Sequence, residues 1–326
     1  MGTDRHQNDS QPLAEGPADS DIRPTYPRWL QPGDRLYVVA PSGALREPES
    51  LHQGIARWRN WGFEVVVPPN LDRRWGYLAG TDEQRRNQLT EALIARDCRG
   101  ILCARGGYGG TRLLENWVWP ESLDLPWGIG FSDITSLLWS LMRQRRTIGV
   151  HGPLLTTLGL EPDWAQQRLL DLVTGQPLAP LQGLGWGGGR VTAPLLPANL
   201  TVATHLLGTT HQPHLAGVIL ALEDVTEAPY RIDRLLTHWR LGGHLQSVAG
   251  IALGRFSRCD PPQEGASFTV AAVLRDRLTD LGIPIVSALP FGHDGENAAL
   301  PVGAMACLDG DQGSLTLMPT NTDIKT

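Results

Sequence analysis

Short apolar runs alternate with amphipathic segments along the first half of the chain. The segments carry apolar residues at helical spacing, as at Leu51, Ile55 and Trp58. The apolar runs are bounded by turn-forming residues, which is typical of buried strands, and they lie at 36–40, 63–67, 100–104, 129–131 and 147–150. Strands that alternate with helices form βαβ units. The pattern therefore predicts a doubly wound α/β domain, with a parallel sheet between two layers of helices, over residues 29–182.

A glycine-rich stretch at 183–189 separates this half from the next, and we interpret it as a linker. Two closing apolar runs, 299–308 and 314–318, predict an antiparallel hairpin. Between the linker and the hairpin, strands again alternate with helical patterns, and the strands are predicted at 190–196, 217–222, 250–253 and 285–289. The second half is therefore expected to form a mixed α/β domain over residues 190–326.

The first 28 residues are polar and rich in Asp, Gln, Ser and Pro. This composition is typical of a disordered tail. The tail lacks the apolar run of a secretory signal, and no later run is long enough to span a bilayer. We therefore expect a disordered tail at 1–28 and no membrane segment.

The net charge of the chain bears on which kinds of partner it could bind. The 326 residues carry a formal net charge of −6, and basic residues do not cluster on any one segment. This balance gives no electrostatic footprint for nucleic acid or an anionic membrane surface. The four cysteines, Cys98, Cys103, Cys259 and Cys307, are scattered and form no CxxC pair, which favours reduced thiols and a cytoplasmic location.

Candidate chemistry gathers where predicted strands end. Ser132 and Asp133 follow the 129–131 strand and precede a helical pattern, and the turn RGGYGG at 105–110 follows the 100–104 strand. Ligands of doubly wound folds bind at the carboxyl ends of strands. N–H groups at a helix N-terminus stabilise an oxyanion, so Ser132 is a candidate nucleophile. Two simpler interpretations stay open, a capping role for Ser132 and a tight turn at RGGYGG.

The glycine turn does not match a nucleotide-binding motif. Its spacing is G-G-x-G-G rather than G-x-G-x-x-G, it follows the third strand, and no acidic residue ends a strand about 20 residues later. The phosphate loop GxxxxGK[ST] is absent from the sequence. His211 and His214 could form a metal pair, but the sequence offers neither a third ligand nor an HExxH motif. We therefore expect neither a metal nor a cofactor.

Three strand ends carry the residue types of a nucleophilic triad. Ser132, Glu223 and His293 would act as nucleophile, acid and base, since a serine hydroxyl needs an imidazole that a carboxylate orients. The same chain order occurs in α/β-hydrolases, but the GxSxG elbow is missing. The alternatives are His151 as the base and Asp224 or Glu227 as the acid.

The chain resembles the LD-carboxypeptidase family of serine peptidases, which includes murein tetrapeptide carboxypeptidases and microcin immunity peptidases. The resemblance covers nearly the whole chain after the tail. It is carried by an ordered series of segments: GDRLYVVAPSG, GYLAGTDEQRRNQL, ILCARGGYGGTRLL, GIGFSDIT, VHGPL, ALEDVTEAPYRIDRLL, GIALGRF and PIVSALPFGHDGENAALPVG. It implies an N-terminal Rossmann-like domain and a C-terminal mixed domain, with the active site between them.

By position, the resemblance makes Ser132 the nucleophile, Glu223 the acid and His293 the base. It implies an oxyanion hole built from the backbone N–H groups of Asp133 and Gly107. The segment that usually reads GGNL in the family is PANL at 197–200 here, so substrate contacts of its first two positions are not carried over.

A carboxypeptidase must also bind the free carboxylate of its substrate. The candidates for this contact are Arg105 and Arg231, although surface salt bridges are an alternative role for each.

The function implied by the resemblance is hydrolysis of the L,D bond that releases the terminal D-alanine of murein tetrapeptides during cell-wall recycling, by a cytoplasmic homodimer. Two alternatives stay open. One is a microcin-immunity-like peptidase or amidase that acts on peptidyl-nucleotide conjugates. The other is a non-catalytic muropeptide-binding protein, which would not need all three triad residues.

Overall fold

A computed structural model describes residues 24–121, 124–261 and 267–319 of the chain. The strands within these residues are β1 (Arg35–Val39), β2 (Glu64–Val66), β3 (Cys98–Cys103), β4 (Trp127–Gly130), β5 (Val150–His151), β6 (Leu181–Gln182), β7 (Leu184–Gly185), β8 (Arg190–Asn199), β9 (Ile219–Val225), β10 (Gly250–Ser257), β11 (Ile285–Ser287), β12 (Leu300–Pro301), β13 (Met305–Asp309) and β14 (Ser314–Leu317).

The helices in the same part of the chain are α1 (Pro48–Asn60), α2 (Asp82–Ile94), α3 (Gly110–Leu113), α4 (Thr135–Arg145), α5 (Leu155–Leu158), α6 (Asp163–Val173), α7 (Leu200–Leu206), α8 (Pro229–Leu241) and α9 (Val270–Leu278). Single 3-10 turns lie at Ser132–Ile134 and Thr279–Leu281. Among these helices, none combines the length and the apolar character that crossing a bilayer requires.

The first sheet has the strand order β12-β5-β4-β3-β1-β2. Its strands are parallel except for β12, which pairs antiparallel with β5. Leu89 of α2 and Leu137 of α4 are buried in one core cluster with Ile101 of β3. Trp58 of α1 and Leu169 of α6 are buried in another. The predicted doubly wound arrangement, with helices on both faces of a parallel sheet, is confirmed.

The second sheet has the order β6-β14-β13-β8-β9-β10-β11-β7. Strands β8 to β11 are parallel, and the outer pairs are antiparallel. The mixed character expected of the second half is confirmed. Asn199, the last residue of β8, and Glu223, two residues before the end of β9, are direct partners in the parallel ladder. Their polar side chains therefore lie near the same edge of the sheet.

The predicted closing hairpin is confirmed by the antiparallel pairing of β13 with β14. Its first strand, predicted at 299–308, is divided, because two different sheets share this segment. Its first part, β12, joins the first sheet, and β13 joins the second. Between them, Val302 N–H donates to Gly149 O at 2.8 Å and Gly303 N–H donates to Leu195 O at 2.6 Å. Gly303 has φ +94°, a conformation that favours glycine. The apolar run is continuous in sequence, but the chain turns there from one sheet to the other.

The glycine-rich residues 183–189 are packed into the second sheet. Strand β7 pairs with β11, and Gly187 N–H donates to Gly310 O at 2.9 Å. A methyl group on Gly185 would lie 2.1 Å from Gly310 O, so this glycine permits close contact between two backbones. The division of the chain into domains at this segment stays a prediction.

The predicted tail, residues 1–28, lies mostly outside the described residues, which begin at residue 24. Thr25 forms a bridge with Thr147, and the ring of Tyr26 packs 5.1 Å from that of Trp29. The end of the tail is therefore ordered against the first sheet.

One hydrophobic core cluster extends across both sheets. Trp139 of α4 is buried in the same cluster as Leu200 of α7 and Leu222 of β9. Its indole N–H donates to Pro197 O in β8 at 3.0 Å. The helix that follows Ser132 is thereby fixed against the second sheet.

Substitution of Gly54 by alanine should destabilise the protein, although alanine is normally favoured over glycine within a helix. A methyl group at Gly54 would lie 2.0 Å from Leu155 O, and such overpacking costs about 1–3 kcal/mol. Urea denaturation of the variant measures the change in the free energy of unfolding. Gly128→Ala is the control with little expected loss, since a methyl group there would have its nearest neighbours at 3.6 and 3.9 Å.

Candidate active site

Ser132 occupies a strained turn between β4 and α4. Phe131 continues the extended strand, and Ser132 then adopts φ +63°. This left-handed conformation is uncommon outside glycine and is often found at functional sites. A methyl group on Gly106 would lie 3.3 Å from Ser132 Oγ, so the RGGYGG loop passes directly beside the hydroxyl.

The side chain of Asp133 fixes that loop to the serine turn. It is buried, and its Oδ2 accepts from Ser42 Oγ at 2.5 Å and from Gly110 N–H at 2.7 Å. Burial raises the pKa of Asp133, while the hydrogen bonds from Ser42 and Gly110 oppose that rise. The sequence predicted a role for the Asp133 backbone N–H, but the anchoring role of its side chain was missed, and so was Ser42.

Gly107 lies on the same loop with φ +106°. Its neighbour Gly106 accepts at its carbonyl from Gly43 N–H at 3.0 Å. The N–H of Gly107 has no acceptor among the described residues. The two N–H groups predicted for the oxyanion hole therefore lie on the serine turn and on the RGGYGG loop, and the Asp133 side chain connects these two segments.

Glu223 and His293, the residues predicted as acid and base, are hydrogen-bonded to each other. Glu223 Oε2 lies 2.7 Å from His293 Nδ1, and the Glu223 side chain is completely buried. Burial alone would lower the pKa of His293, but the negative charge of Glu223 and the hydrogen bond to it outweigh burial and raise that pKa. The carboxylate fixes the proton on Nδ1, so Nε2 is left as the atom that can accept a proton.

The imidazole of His293 packs against the residue that precedes the candidate nucleophile. The ring centroids of His293 and Phe131 are 4.6 Å apart. His293 lies in the loop that follows β11 of the second sheet, whereas Phe131 follows β4 of the first sheet. The structure thus brings Ser132, Glu223 and His293 to one region from three separated parts of the chain.

Asn199 links the acid to the nucleophile helix, and sequence analysis missed this role. Its Nδ2 donates to Glu223 Oε1 at 3.2 Å, and its backbone N–H donates to Thr135 Oγ1 at 3.0 Å. Its Oδ1 caps α7 by accepting from Val202 N–H at 3.1 Å. An Asn just before a predicted helix was the available signal, but that pattern indicates a cap and not a partner of Glu223.

Asp224, an alternative acid, has a different set of partners. Its Oδ2 accepts from Thr201 Oγ1 at 2.7 Å and from Thr201 N–H at 2.9 Å, and Asn199 Nδ2 donates to its Oδ1 at 3.1 Å. Burial raises the pKa of Asp224 to about 6. These contacts tie β9 to the start of α7.

Glu227, the other alternative acid, lies within 3.5 Å of the Arg231 guanidinium. Arg231 is exposed and also contacts the Tyr230 hydroxyl at 3.2 Å.

His151, the alternative base, is enclosed by apolar rings. It is fully buried, neither ring nitrogen has a partner among the described residues, and its ring lies 5.8 Å from that of Phe131. Burial lowers the pKa of His151 to about 4. Burial therefore favours the neutral form of His151, whose ring packs against those of Phe131 and Phe291.

Arg105 lies alongside the glycine loop. Its Nε contacts Glu47 Oε2 at 3.1 Å, and a methyl group on Gly107 would lie 2.9 Å from its guanidinium. The guanidinium is therefore next to the candidate oxyanion position, whereas Arg231 lies on α8.

His211 Nδ1 pairs with Ser140 Oγ at 2.8 Å. Within the described residues, no group of three or more His, Cys, Asp or Glu side chains is arranged to hold a metal ion.

Comparison with known proteins places this architecture in a family. Residues 36–152 match the model of the LD-carboxypeptidase N-terminal domain, and residues 192–308 match that of the C-terminal domain. A putative carboxypeptidase of Synechocystis is 57% identical over 90% of this chain and 97% of its own. The murein tetrapeptide carboxypeptidase of Pseudomonas aeruginosa is 33% identical over 89% of this chain and 98% of its own.

Solved structures show the same fold. The muramoyltetrapeptide carboxypeptidase of Oxalobacter formigenes is 28% identical, with a TM-score of 0.78 over 87% of this chain and 97% of that chain. The microcin C7 self-immunity protein MccF is 20% identical, with a TM-score of 0.81 over 90% of this chain and 98% of that chain. At that identity the second likeness concerns the fold alone.

Replacement of Glu223 by glutamine should lower the pKa of His293. Without the charge of Glu223, the effect of burial dominates, and burial lowers the pKa of a histidine. NMR titration of the imidazole signals measures this change. Glu227→Gln is the matched control because its carboxylate pairs with Arg231; an equal fall in that variant would contradict the assignment of Glu223 as the partner.

The strain at Ser132 should appear in a comparison of glycine and alanine variants. Glycine adopts φ +63° without the clash that a Cβ introduces. Inside α4, at Ser140, alanine should instead be the more stable replacement. The free energy of unfolding of the glycine variant minus that of the alanine variant should be about 1–2 kcal/mol more favourable to glycine at Ser132 than at Ser140. Urea denaturation of the four variants tests this, and equal differences at both positions would exclude strain.

Proposed function

Because this chain belongs to the LD-carboxypeptidase family, we propose that it is a serine carboxypeptidase which releases the terminal D-alanine of murein tetrapeptides. The observation that carries the proposal is the buried Glu223–His293 pair, whose imidazole packs on Phe131 beside Ser132. A binding protein would not require a buried carboxylate that orients an imidazole next to a strained serine. The L,D bond as the point of cleavage rests on the family, the LD-carboxypeptidases, and the tetrapeptide substrate rests on the relatives named for murein and muramoyl tetrapeptides.

The proposed reaction is acyl transfer through Ser132. His293 Nε2 takes the proton of the Ser132 hydroxyl as Oγ attacks the carbonyl carbon of the scissile bond. The bond to the D-alanine nitrogen then breaks, and the imidazolium returns the proton to the departing amine. Water activated by the same imidazole hydrolyses the acyl-enzyme. Glu223 keeps Nδ1 protonated and stabilises the imidazolium in both steps.

The charge that develops on the carbonyl oxygen needs preorganised donors. We assign this role to the backbone N–H groups of Asp133 and Gly107, which a buried carboxylate holds in one place. Arg105 is the better candidate for the terminal carboxylate, because its guanidinium lies beside Gly107. Arg231 is the weaker candidate, since it is exposed and already contacts Glu227. The chemistry needs neither a metal nor a cofactor.

The setting of this reaction rests on the family resemblance. We propose that the protein is a cytoplasmic homodimer that acts in cell-wall recycling, with muropeptide as its substrate and an active site between the two domains. The alternative of a peptidyl-nucleotide substrate is supported by the fold alone, through the likeness to the microcin immunity protein.

Ser132→Ala should lower the release of D-alanine from murein tetrapeptide by at least about 10³-fold, since triad residues act as a unit. Mass spectrometry of the free amino acid measures this release. Ser247→Ala, which changes an exposed serine far along the chain, is the control with expected wild-type turnover. Full activity of Ser132→Ala would exclude the proposed nucleophile.

A second substrate, a peptidyl-nucleotide conjugate, separates the alternatives in the same assay. Turnover of a peptidyl-nucleotide conjugate without release of D-alanine from the tetrapeptide would favour a microcin-immunity-like activity. Binding of the tetrapeptide with no turnover of either substrate would favour a muropeptide-binding protein.

A further inference from the structure

The loop that carries His293 is held by a buried asparagine. Asn297 is fully buried, and its Oδ1 accepts from Gly292 N–H at 3.0 Å. Gly292 directly precedes His293 and has φ +117°. Ser257 Oγ also donates to the His293 carbonyl at 2.5 Å. These two contacts fix the backbone of the 290–297 loop on either side of the His293 side chain. The direction of the imidazole therefore depends on them.

The backbone N–H of Asn297 donates to a carboxylate from another part of the fold. The acceptor is Glu161 Oε2 at 2.8 Å, and Glu161 is only 8% exposed. Glu161 lies between α5 and α6, and buried residues of both helices, such as Leu155 and Leu169, pack in the core of the first sheet. The nucleophile follows a strand of that same sheet, so Glu161 connects the nucleophile's sheet to the loop of the base.

Glutamate is a costly acceptor at this position. Burial raises the pKa of Glu161 to about 7, and Glu296 contributes to that rise, whereas the Asn297 N–H and the charge of Arg255 oppose it. Glutamate is rarely buried to this extent without a partner, because transfer of a carboxylate out of water costs free energy. Glu161 takes no part in the triad, and the sequence analysis gave it no role.

We propose that Glu161 is a positioning residue, which fixes the 290–297 loop against the nucleophile's sheet so that His293 is directed at Ser132. The proposal rests on the proposed function, because its catalytic effect acts through His293. The contact needs an acceptor oxygen at the Glu161 position and not a charge. A variant that keeps the oxygen should therefore keep the rate, and one that removes it should lose turnover with little change in substrate affinity.

Three variants test the proposal in the full chain. Glu161→Gln should retain kcat within about threefold, while Glu161→Leu should lower kcat by about 10–100-fold, since small misplacements of catalytic groups have effects of that size. KM should change by less than about threefold in both, because neither touches substrate. Glu161→Asp, which withdraws the acceptor by one methylene, should give an intermediate loss and replaces Glu161→Leu if that variant does not fold. Asp163→Asn, an exposed acidic residue two positions later, is the control with expected wild-type kcat.

NMR titration of His293 provides a readout that does not depend on turnover. The titration curve of His293 should differ from wild type in Glu161→Leu or Glu161→Asp and should be restored in Glu161→Gln. Wild-type kcat and an unchanged His293 titration in the variants that lose the acceptor would overturn the positioning role. A wild-type protein that releases no D-alanine would instead reject the proposed function, and the titration would still decide whether Glu161 orients the imidazole.

The pH dependence of stability checks that the carboxyl is buried as described. Because the folded pKa of Glu161 is raised to about 7 from 4.5, the neutral form favours the folded state, and this contribution is lost as the pH rises through 7. The stability of Glu161→Gln relative to wild type should therefore increase between pH 4.5 and about pH 7 and level off above that. A difference that does not vary with pH would contradict the burial of the Glu161 carboxyl, on which the proposed positioning role depends.

Discussion

The complete burial of the Glu223 carboxylate is the constraint on which the site depends. A buried charge is costly unless hydrogen bonds compensate it. Glu223 is compensated by His293 Nδ1 on one oxygen and by Asn199 Nδ2 on the other. Both hydrogen bonds to Glu223 can form only if β8, β9 and the 290–297 loop lie next to one another. The same contacts fix the orientation of the His293 imidazole.

The same requirement extends to the nucleophile. Asn199 donates its backbone N–H to Thr135 at the start of α4, and Trp139 of that helix donates to Pro197 in β8. Asp133 meanwhile holds the glycine loop against the serine turn. These contacts join two sheets through buried polar groups and a continuous core. Precision at the serine thus comes from a second layer of hydrogen bonds, and buried networks of this kind fix geometry only when each member is satisfied.

Besides Glu223, three more carboxyl groups are buried around the serine turn, the end of β9 and the His293 loop, and each has different hydrogen-bond partners. Asp133 anchors the glycine loop, Asp224 ties β9 to α7, and Glu161 accepts from the loop of His293. Burial raises the pKa of each of them. Their ionisation therefore costs stability at neutral pH, and a site that keeps such groups gains fixed positions for its reacting atoms at the expense of fold stability.

The sequence by itself determined the layered α/β fold and the approximate positions of the strands near Ser132, Glu223 and His293, because apolar periodicity and turn residues act locally. It also carried the family resemblance. Only the tertiary structure decided that the run at 299–308 divides between two sheets, that Asn199 partners Glu223, and that Glu161 reaches Asn297. The two hydrogen bonds join residues 24 and 136 positions apart in the chain, and hydrogen bonds over such separations leave no periodic trace in the amino-acid pattern.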